Sequence, residues 1–504
     1  MGAEPVARGA TVAGRAALAG IAGSLLLVVL AGLLGPSAAQ PALGDPTGLP
    51  PYAFDTRPEA WTMVRLLGSA LLLGAISFGT ALAALRKGWR PCPRRLLLAG
   101  VLATCALAIV PPMGSADHLS YVAYGRVAAL GFDPYAVTPS EAAADGDPVV
   151  AAAEPPWQDT TSVYGPVTTM EQELASHIGG TSVRTTILVL AVVNALAFLL
   201  TAVLLYRATR GDPARQRRAM VLWSVNPLLL YAAVNGLHVD TLMVALLVAA
   251  VLAVRRSPVA SGVLLAVAMA VKLPAALGAA GIAWALCRRF RTLLLTGGVS
   301  VLVFAGLYAT AGPHAFDQLY RASRYISLAT PGRLLAETIE PLIGHGPTRL
   351  ILRILGVVAL LVVAALLLRW AHRRWGPADT GPMPGPGPLP DERLRTAVWV
   401  TGALGIAWLF TAPYALPWYD AFGWAFLALL PASRLDGLFL VRGIVLSLAY
   451  VPGRTTLPDD VRVATLFYRA EVAPYLTTAL LIAALVVIIR MPGRSPTALP
   501  SGQP

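Results

Sequence analysis

The sequence predicts an all-α polytopic membrane protein, and three observations carry that prediction. Of 504 residues, 56% are hydrophobic and only 13% charged, with a mean hydropathy of +0.67. A soluble chain of this size could not keep so much apolar surface out of water. The apolar runs are about 17–25 residues long, the length of a membrane-crossing helix, rather than the alternating segments of a barrel. Basic residues recur at every second connection between the runs, as they do in chains that cross a bilayer repeatedly.

Taken in order, the runs give roughly fourteen spans, at 14–36, 62–85, 96–113, 182–206, 219–234, 239–254, 257–272, 274–287, 292–311, 350–369, 396–412, 417–433, 436–451 and 473–490. The first is followed by "SAAQ" and imitates a secretory leader. Its apolar stretch exceeds the roughly 7–15 residues of a leader's hydrophobic region, so it is read as a retained span. The runs around "AVKLP" are long for one span and short for two, which fits half-helices broken at Lys272-Leu273-Pro274.

Charge orients these spans. "RKGWRPCPRR" (86–95), "YRATRGDPARQRRA" (206–219), Arg255-Arg256, "CRRFRT" (287–292), "RWAHRRW" (369–375), Arg434 and the tail from Arg490 fall on one side. Placing that side in the cytoplasm puts both termini there and makes the number of crossings even. The formal charge of +13 is thereby assigned to cytoplasmic loops and not to a nucleic-acid partner. Residues 1–13 form the cytoplasmic N-terminus, 14–490 the transmembrane domain, and 491–504 a disordered tail, while "GPADTGPMPGPGPLPDE" (376–392) reads as a flexible linker. Cys92, Cys105 and Cys287 give neither a disulfide framework nor a zinc spacing.

The opposite side receives loops 114–181, 312–349 and 452–472, the first rich in acids and carrying Arg126 as its single arginine. It opens with "GSADHLSYVAYGRVAALGFDPYAVTP", so Asp117 stands outside, just above the membrane. Such an acid either pairs with Arg126 or caps a short helix, or serves as a general base with a pKa raised by partial desolvation. Tyr121, Tyr124, Trp157 and Tyr164 suit a headgroup-depth belt, and aromatics also line sugar and polyprenyl sites. In "NPLLLYAAVNGLHVDTLM", His238 and Asp240 occupy an outward turn. Two ligands without a third make a weak metal site; structural hydrogen bonding, or donation to a phosphate with Asp240 orienting the imidazole, are the other readings. Lys272, within an apolar run, must pair, snorkel or meet a ligand. Arg321 and Arg324 are anion contacts or headgroup anchors, and "APYALPWYDAF" adds Trp418, Tyr419 and Asp420 to the outer surface.

Together these motifs resemble the polyprenol-phosphate-mannose-dependent α-1,6-mannosyltransferases of the actinobacterial cell envelope, which belong to the GT-C glycosyltransferase class. The resemblance rests on "ADHLSYVAYGRVAALGFDPYAVTP", Tyr164-Gly165-Pro166 after "PPWQDTT", "NPLLLYAAVNGLHVDTLM", "AMAVK" and "ALPWY", in that order over about residues 110–425. Val239 stands where the family has an amide between the His and the acid, which touches any contact of that amide but not His238 or Asp240.

The resemblance implies a GT-C-like bundle of about 13–14 transmembrane helices with short interfacial helices in the outer loops. It implies a lipid-linked mannose donor, an acceptor hydroxyl (O6 of a mannan or glycolipid), and Asp117 as the base of an inverting transfer at the outer face of the plasma membrane. His238, Arg321, Arg324 and Lys272 are then the candidates to meet the departing phosphate. Tyr121, Tyr164, Asp240, Trp418 and Tyr419 would line the substrate. No cofactor is required by this donor, and a divalent metal is compatible with it but not demanded. Rival readings are a GT-C enzyme of other sugar or linkage specificity, and a lipid-linked sugar flippase; the chain shows no internal repeat of the kind many transporters carry.

Overall fold

The computed structural model describes residues 3–44, 48–143, 146–322, 324–375, 389 and 391–490. The tail 491–504 and nearly all of the linker 376–392 lie outside the described residues. Everything regular in the described chain is helical. Two long helices open it, α1 (Ala3–Leu33) and α2 (Ala60–Arg86), packed along each other, followed by α3 (Pro93–Ala108). The loop expected to lie outside folds into α4 (Asp117–Ala129) and α5 (Pro166–Gly179), which pack together, with single turns between them. Then come α6 (Val183–Ala208), α7 (Pro213–Leu222), α8 (Asp240–Ala253), α9 (Pro258–Val271), α10 (Leu277–Leu286) and α11 (Phe290–Ala311). A second excursion, which was also expected to lie outside, holds α12 (His314–Ala322) and α13 (Pro331–Ile343) before α14 (His345–Trp375). The chain closes with α15 (Glu392–Thr411), α16 (Asp420–Leu429), α17 (Leu435–Leu448), α18 (Asp459–Phe467) and α19 (Ala473–Arg490).

Local chemistry sets these boundaries. Proline occupies the first turn of α5, α7, α9 and α13, where its missing N–H costs nothing. Ser182, Asp212, Ser257 and Asp391 accept backbone N–H groups at the starts of α6, α7, α9 and α15.

Among the described residues, seven helices are long and apolar enough to cross a membrane, or eight if one bent pair counts as a single span. The protein is therefore a multi-pass membrane protein, with a helical bundle in which the expected runs are realised unequally. Residues 213–235 and 240–253 meet at a bend of 116°, where Asn226-Pro227 starts a turn that widens into a π turn at Leu230–Asn235. Around "AVKLP" the chain forms two short apolar helices, Pro258–Val271 and Leu273–Leu286. Proline stops the intrahelical ladder at both places and leaves backbone free to line an interior.

The bundle centre is aromatic. Trp424 packs edge-on against Phe78 and Phe439, both at 5.5 Å between ring centroids. Ion pairs join the neighbouring helices: Asp420 with Arg442, and Asp436 with Arg218 (2.8 Å) and Arg86 (3.6 Å). Asp420, expected on the outer surface, is 3% exposed, because it begins α16 facing α17 and its counter-ion Arg442.

Candidate active site

Asp117 is the first residue of α4, and its N–H donates to Ser115 Oγ at 3.2 Å. The side chain keeps 16% of its exposure and reaches His238 Nδ1 at 3.6 Å. Arg126, the loop's arginine, does not pair with it; its guanidinium binds Asp147 at 2.7 Å instead. Outside the spanning segments and largely buried, the Asp117 carboxyl is pushed up to about 7 by desolvation. Lys272 opposes that rise and Asp240 reinforces it.

His238 sits in the break before α8, after Leu237, which adopts φ +56, a conformation a branched residue rarely takes. The imidazole is fully buried, stacked on Trp418 at 3.5 Å and 8°. Ser115 Oγ lies 3.3 Å from Nε2 and Tyr121 OH 3.3 Å from Nδ1, so both ring nitrogens have partners. Lys272, where α9 gives way to extended backbone, donates to both Asp240 oxygens at 3.0 and 2.9 Å and lies 4.0 Å from the Tyr419 ring centroid. Asp240 therefore neutralises Lys272 and does not orient His238.

The "YGP" turn joins these groups. Gly165 N–H and Thr168 Oγ1 both donate to Val271 O, at 3.3 and 3.0 Å, satisfying a carbonyl that the end of α9 leaves unpaired. A Cβ on Gly165 would fall 2.0 Å from Ala270 O, so only glycine allows this approach. Tyr164 is thereby held edge-on against Tyr121, with centroids 5.1 Å apart.

Three hollows meet around this cluster. The first, of about 510 Å³, has Asp117, Lys272, Tyr164, Trp157, Trp418 and Tyr419 in its wall, together with Trp408, Tyr414 and Tyr325. The second, of about 390 Å³, shares Asp117, Trp157, Tyr414 and Trp418 with the first but is more polar, lined by Ser115, Ser327, Arg454, Thr455 and Arg469. The third, of about 310 Å³, adjoins the first through Tyr325, Trp408 and Tyr414 and holds Arg324, Arg349 and Arg353 above the apolar residues Leu352, Val357 and Leu360. Among the described residues, Arg349 Nε is buried without a hydrogen-bond partner, and the acids of α13, Glu337 and Glu340, pair with Arg333 and His345. Asp117 thus stands on the wall common to an aromatic chamber and a polar one.

Of the expected site residues, Asp117, Lys272, Tyr164, Trp418 and Tyr419 face the main chamber. His238, Tyr121 and Asp240 are 0–2% exposed and stand behind its wall, because stacking on Trp418, packing on Tyr164 and pairing with Lys272 fill their free faces. Arg324 lies in the adjoining arginine hollow. Arg321 belongs to α12, but its side chain lies outside the described residues. Arg349 and Arg353 were legible only as the basic edge of a span; their four-residue spacing on α14 puts both on one helix face. Among the described residues, no three His, Cys, Asp or Glu side chains converge as a metal cluster.

The family model described as alpha-(1->6)-mannopyranosyltransferase, N-terminal domain, matches residues 17–288. Alpha-(1->6)-mannopyranosyltransferase A of Mycobacterium tuberculosis is 28% identical over 414 residues, 73% of each chain. The protein of the same name from Corynebacterium glutamicum is 27% identical over 191 residues, 38% of each chain. A probable alpha-(1->6)-mannopyranosyltransferase of Mycolicibacterium smegmatis is 27% identical over 242 residues, covering 47% of this chain and 42% of that one.

Proposed function

This chain belongs to the alpha-(1->6)-mannopyranosyltransferase family, and on that premise we propose that it transfers mannose from a polyprenyl phosphomannose to a hydroxyl of a mannan or glycolipid. The observation that carries the reading is the place of Asp117. Among the described residues it is a carboxylate without a strong ion-pair partner, on the wall shared by an aromatic hollow and a polar one.

The sugar of the donor stacks in the aromatic chamber, whose rings suit the C–H faces of a pyranose. Its phosphate lies towards Arg324, Arg349 and Arg353, and its chain runs along the apolar outer face of α14, where Ile354, Val357 and Leu361 are exposed. The acceptor enters through the polar hollow. Asp117 takes the proton of the attacking hydroxyl as its oxygen bonds to the anomeric carbon; the bond from that carbon to the phosphate oxygen breaks, and the phosphate leaves with the electron pair. A phosphate monoester needs no acid to depart, so one carboxylate suffices, and attack opposite the leaving group inverts a β-linked mannose to an α-linkage. Charge growing on the phosphate is met by the three arginines, while Lys272, already held by both Asp240 oxygens, faces the chamber as a neutralised pair. His238 serves as a positioning residue: locked on Trp418, it sets the orientation of Asp117. O6 is the acceptor position that the family's name suggests.

An outward-facing site explains the donor, since nucleotide sugars stay in the cytoplasm whereas a lipid-borne sugar reaches the other leaflet. Purified protein incubated with polyprenyl phosphomannose and short α-mannosyl acceptors should give a linkage-analysed α-1,6 product. Transport across sealed vesicles without a new glycosidic bond would replace this reading with that of a flippase. A reporter at residue 145 labelled from the cytoplasm would remove the outward placement.

A further inference from the structure

At the end of the bundle away from Asp117, α6 and α8 finish beside a hollow of about 680 Å³, larger than any of the three around the candidate site. The separation follows from α8 itself: Asp240 begins it, Leu252 at its far end lines the hollow, and a helix of that length is roughly 20 Å long.

Among the described residues, five arginines line the hollow, Arg207, Arg210, Arg215, Arg255 and Arg256, with Asp212 as the one acid in its wall. Asp212 is already engaged. Its Oδ1 accepts the N–H groups of Ala214 and Arg215 at the start of α7, and its Oδ2 lies 3.8 Å from Arg215 Nε. The C-termini of α6 and α8 each present about half a negative charge. Together with Asp212 they offset roughly two of the five positive charges and leave a surplus of about three. The positive-inside rule accounts for arginines in these loops, but not for their closing around one space, nor for Arg215 being only 6% exposed among them. Leu204, Leu252, Leu389 and Leu394 also line the hollow, so its wall combines cationic and apolar groups.

We propose that this hollow is a second binding site, separate from the transfer reaction, for a phosphate group carried on an anionic lipid headgroup or on a small soluble phosphate. Guanidinium groups bind phosphate oxygens in pairs, and basic pockets at the ends of membrane helices are suited to anionic headgroups. The volume exceeds what a bare phosphate fills and falls in the range of small-molecule pockets, which leaves room for a glycerol or inositol moiety beside the leucines.

The test uses the full chain in nanodiscs of phosphatidylcholine with phosphatidylglycerol as the minority lipid, read by native mass spectrometry of retained lipid. The unaltered protein should retain phosphatidylglycerol. Arg207→Gln with Arg210→Gln and Arg256→Gln, all on exposed residues, should lower that retention roughly fivefold per charge removed. Arg90→Gln with Arg94→Gln and Arg95→Gln removes three exposed charges outside the hollow and should leave retention unchanged. In a second arm, inorganic pyrophosphate is added to nanodiscs of phosphatidylcholine alone, with thermal unfolding as the readout. Stabilisation there, lost in the hollow's triple variant and unaccompanied by phosphatidylglycerol retention, assigns the site to a soluble phosphate. If neither probe distinguishes the unaltered chain from that variant, or if the control triple loses as much lipid, the proposal is overturned.

Discussion

Two sets of carboxylates in this bundle share an apolar setting and differ in their neighbours. Asp240, Asp420 and Asp436, in the bundle proper, each face a lysine or arginine and are at most 3% exposed. Asp117, at the start of α4, has among the described residues only the buried imidazole of His238 within ion-pair reach and opens onto two hollows. Burying a charge is tolerated when a partner is built beside it. A carboxylate left without one titrates near neutrality, which suits proton transfer rather than scaffolding. The contrast separates acids that hold the fold from the acid that faces a substrate.

The sharpest way to break this contrast is to exchange the consequences. Asp117→Asn should lower transfer about 10²–10⁴-fold, the usual contribution of a general base, with thermal unfolding unchanged; a stable variant with normal turnover would place Asp117 among the scaffolding acids. Arg442→Ala should do the reverse, destabilising the fold by about 3–5 kcal/mol because Asp420 is left charged and alone. Its unfolding can be followed in detergent, and Asp420→Asn in the same chain should recover part of the loss. Arg349→Gln with Arg353→Gln should lower kcat/KM for the donor by roughly one to two orders of magnitude, as expected for losing charged hydrogen bonds to a phosphate whose charge grows in the transition state, with the loss appearing in kcat as well as KM. Acidity acts on one set alone. Below about pH 7 Asp117 gains a proton and cannot serve as base, so the rate should fall about tenfold per unit, whereas above it the rate should level off. A rate independent of pH between 5 and 8 would remove the assignment. The smallest effect is expected from His238→Gln, which should lower kcat several-fold and move the inflection of the pH profile while leaving donor KM nearly constant; a change confined to KM would return His238 to phosphate binding.

Much of this was written in the chain. Apolar runs of helix length fixed the class of protein, because a helix alone satisfies its own backbone in lipid. The break at Lys272-Leu273-Pro274 was legible because proline removes a donor wherever it stands, whereas Asn226-Pro227, read as lying within the span 219–234, instead starts a turn that interrupts it. Asp117 stood out as an acid at the end of an apolar run. What one dimension could not supply was pairing. The Asp117–Arg126 contact was a plausible neighbour interaction by sequence, yet Arg126 turns to Asp147, and Asp240, two residues from His238, binds Lys272, thirty-two residues further on. His238 and Tyr121, read as facing a ligand, are covered by Trp418 and Tyr164, which form the chamber wall in front of them. Arg349 and Arg353 joined the site only because α14 folds against α15, whose end brings Trp408 to the wall they share. Composition and periodicity decide which segments enter the membrane, since transfer free energy adds along the chain. Which charges meet, and which one is left facing a cavity, depends on side chains distant in sequence arriving at one place, and only the packed bundle decides that.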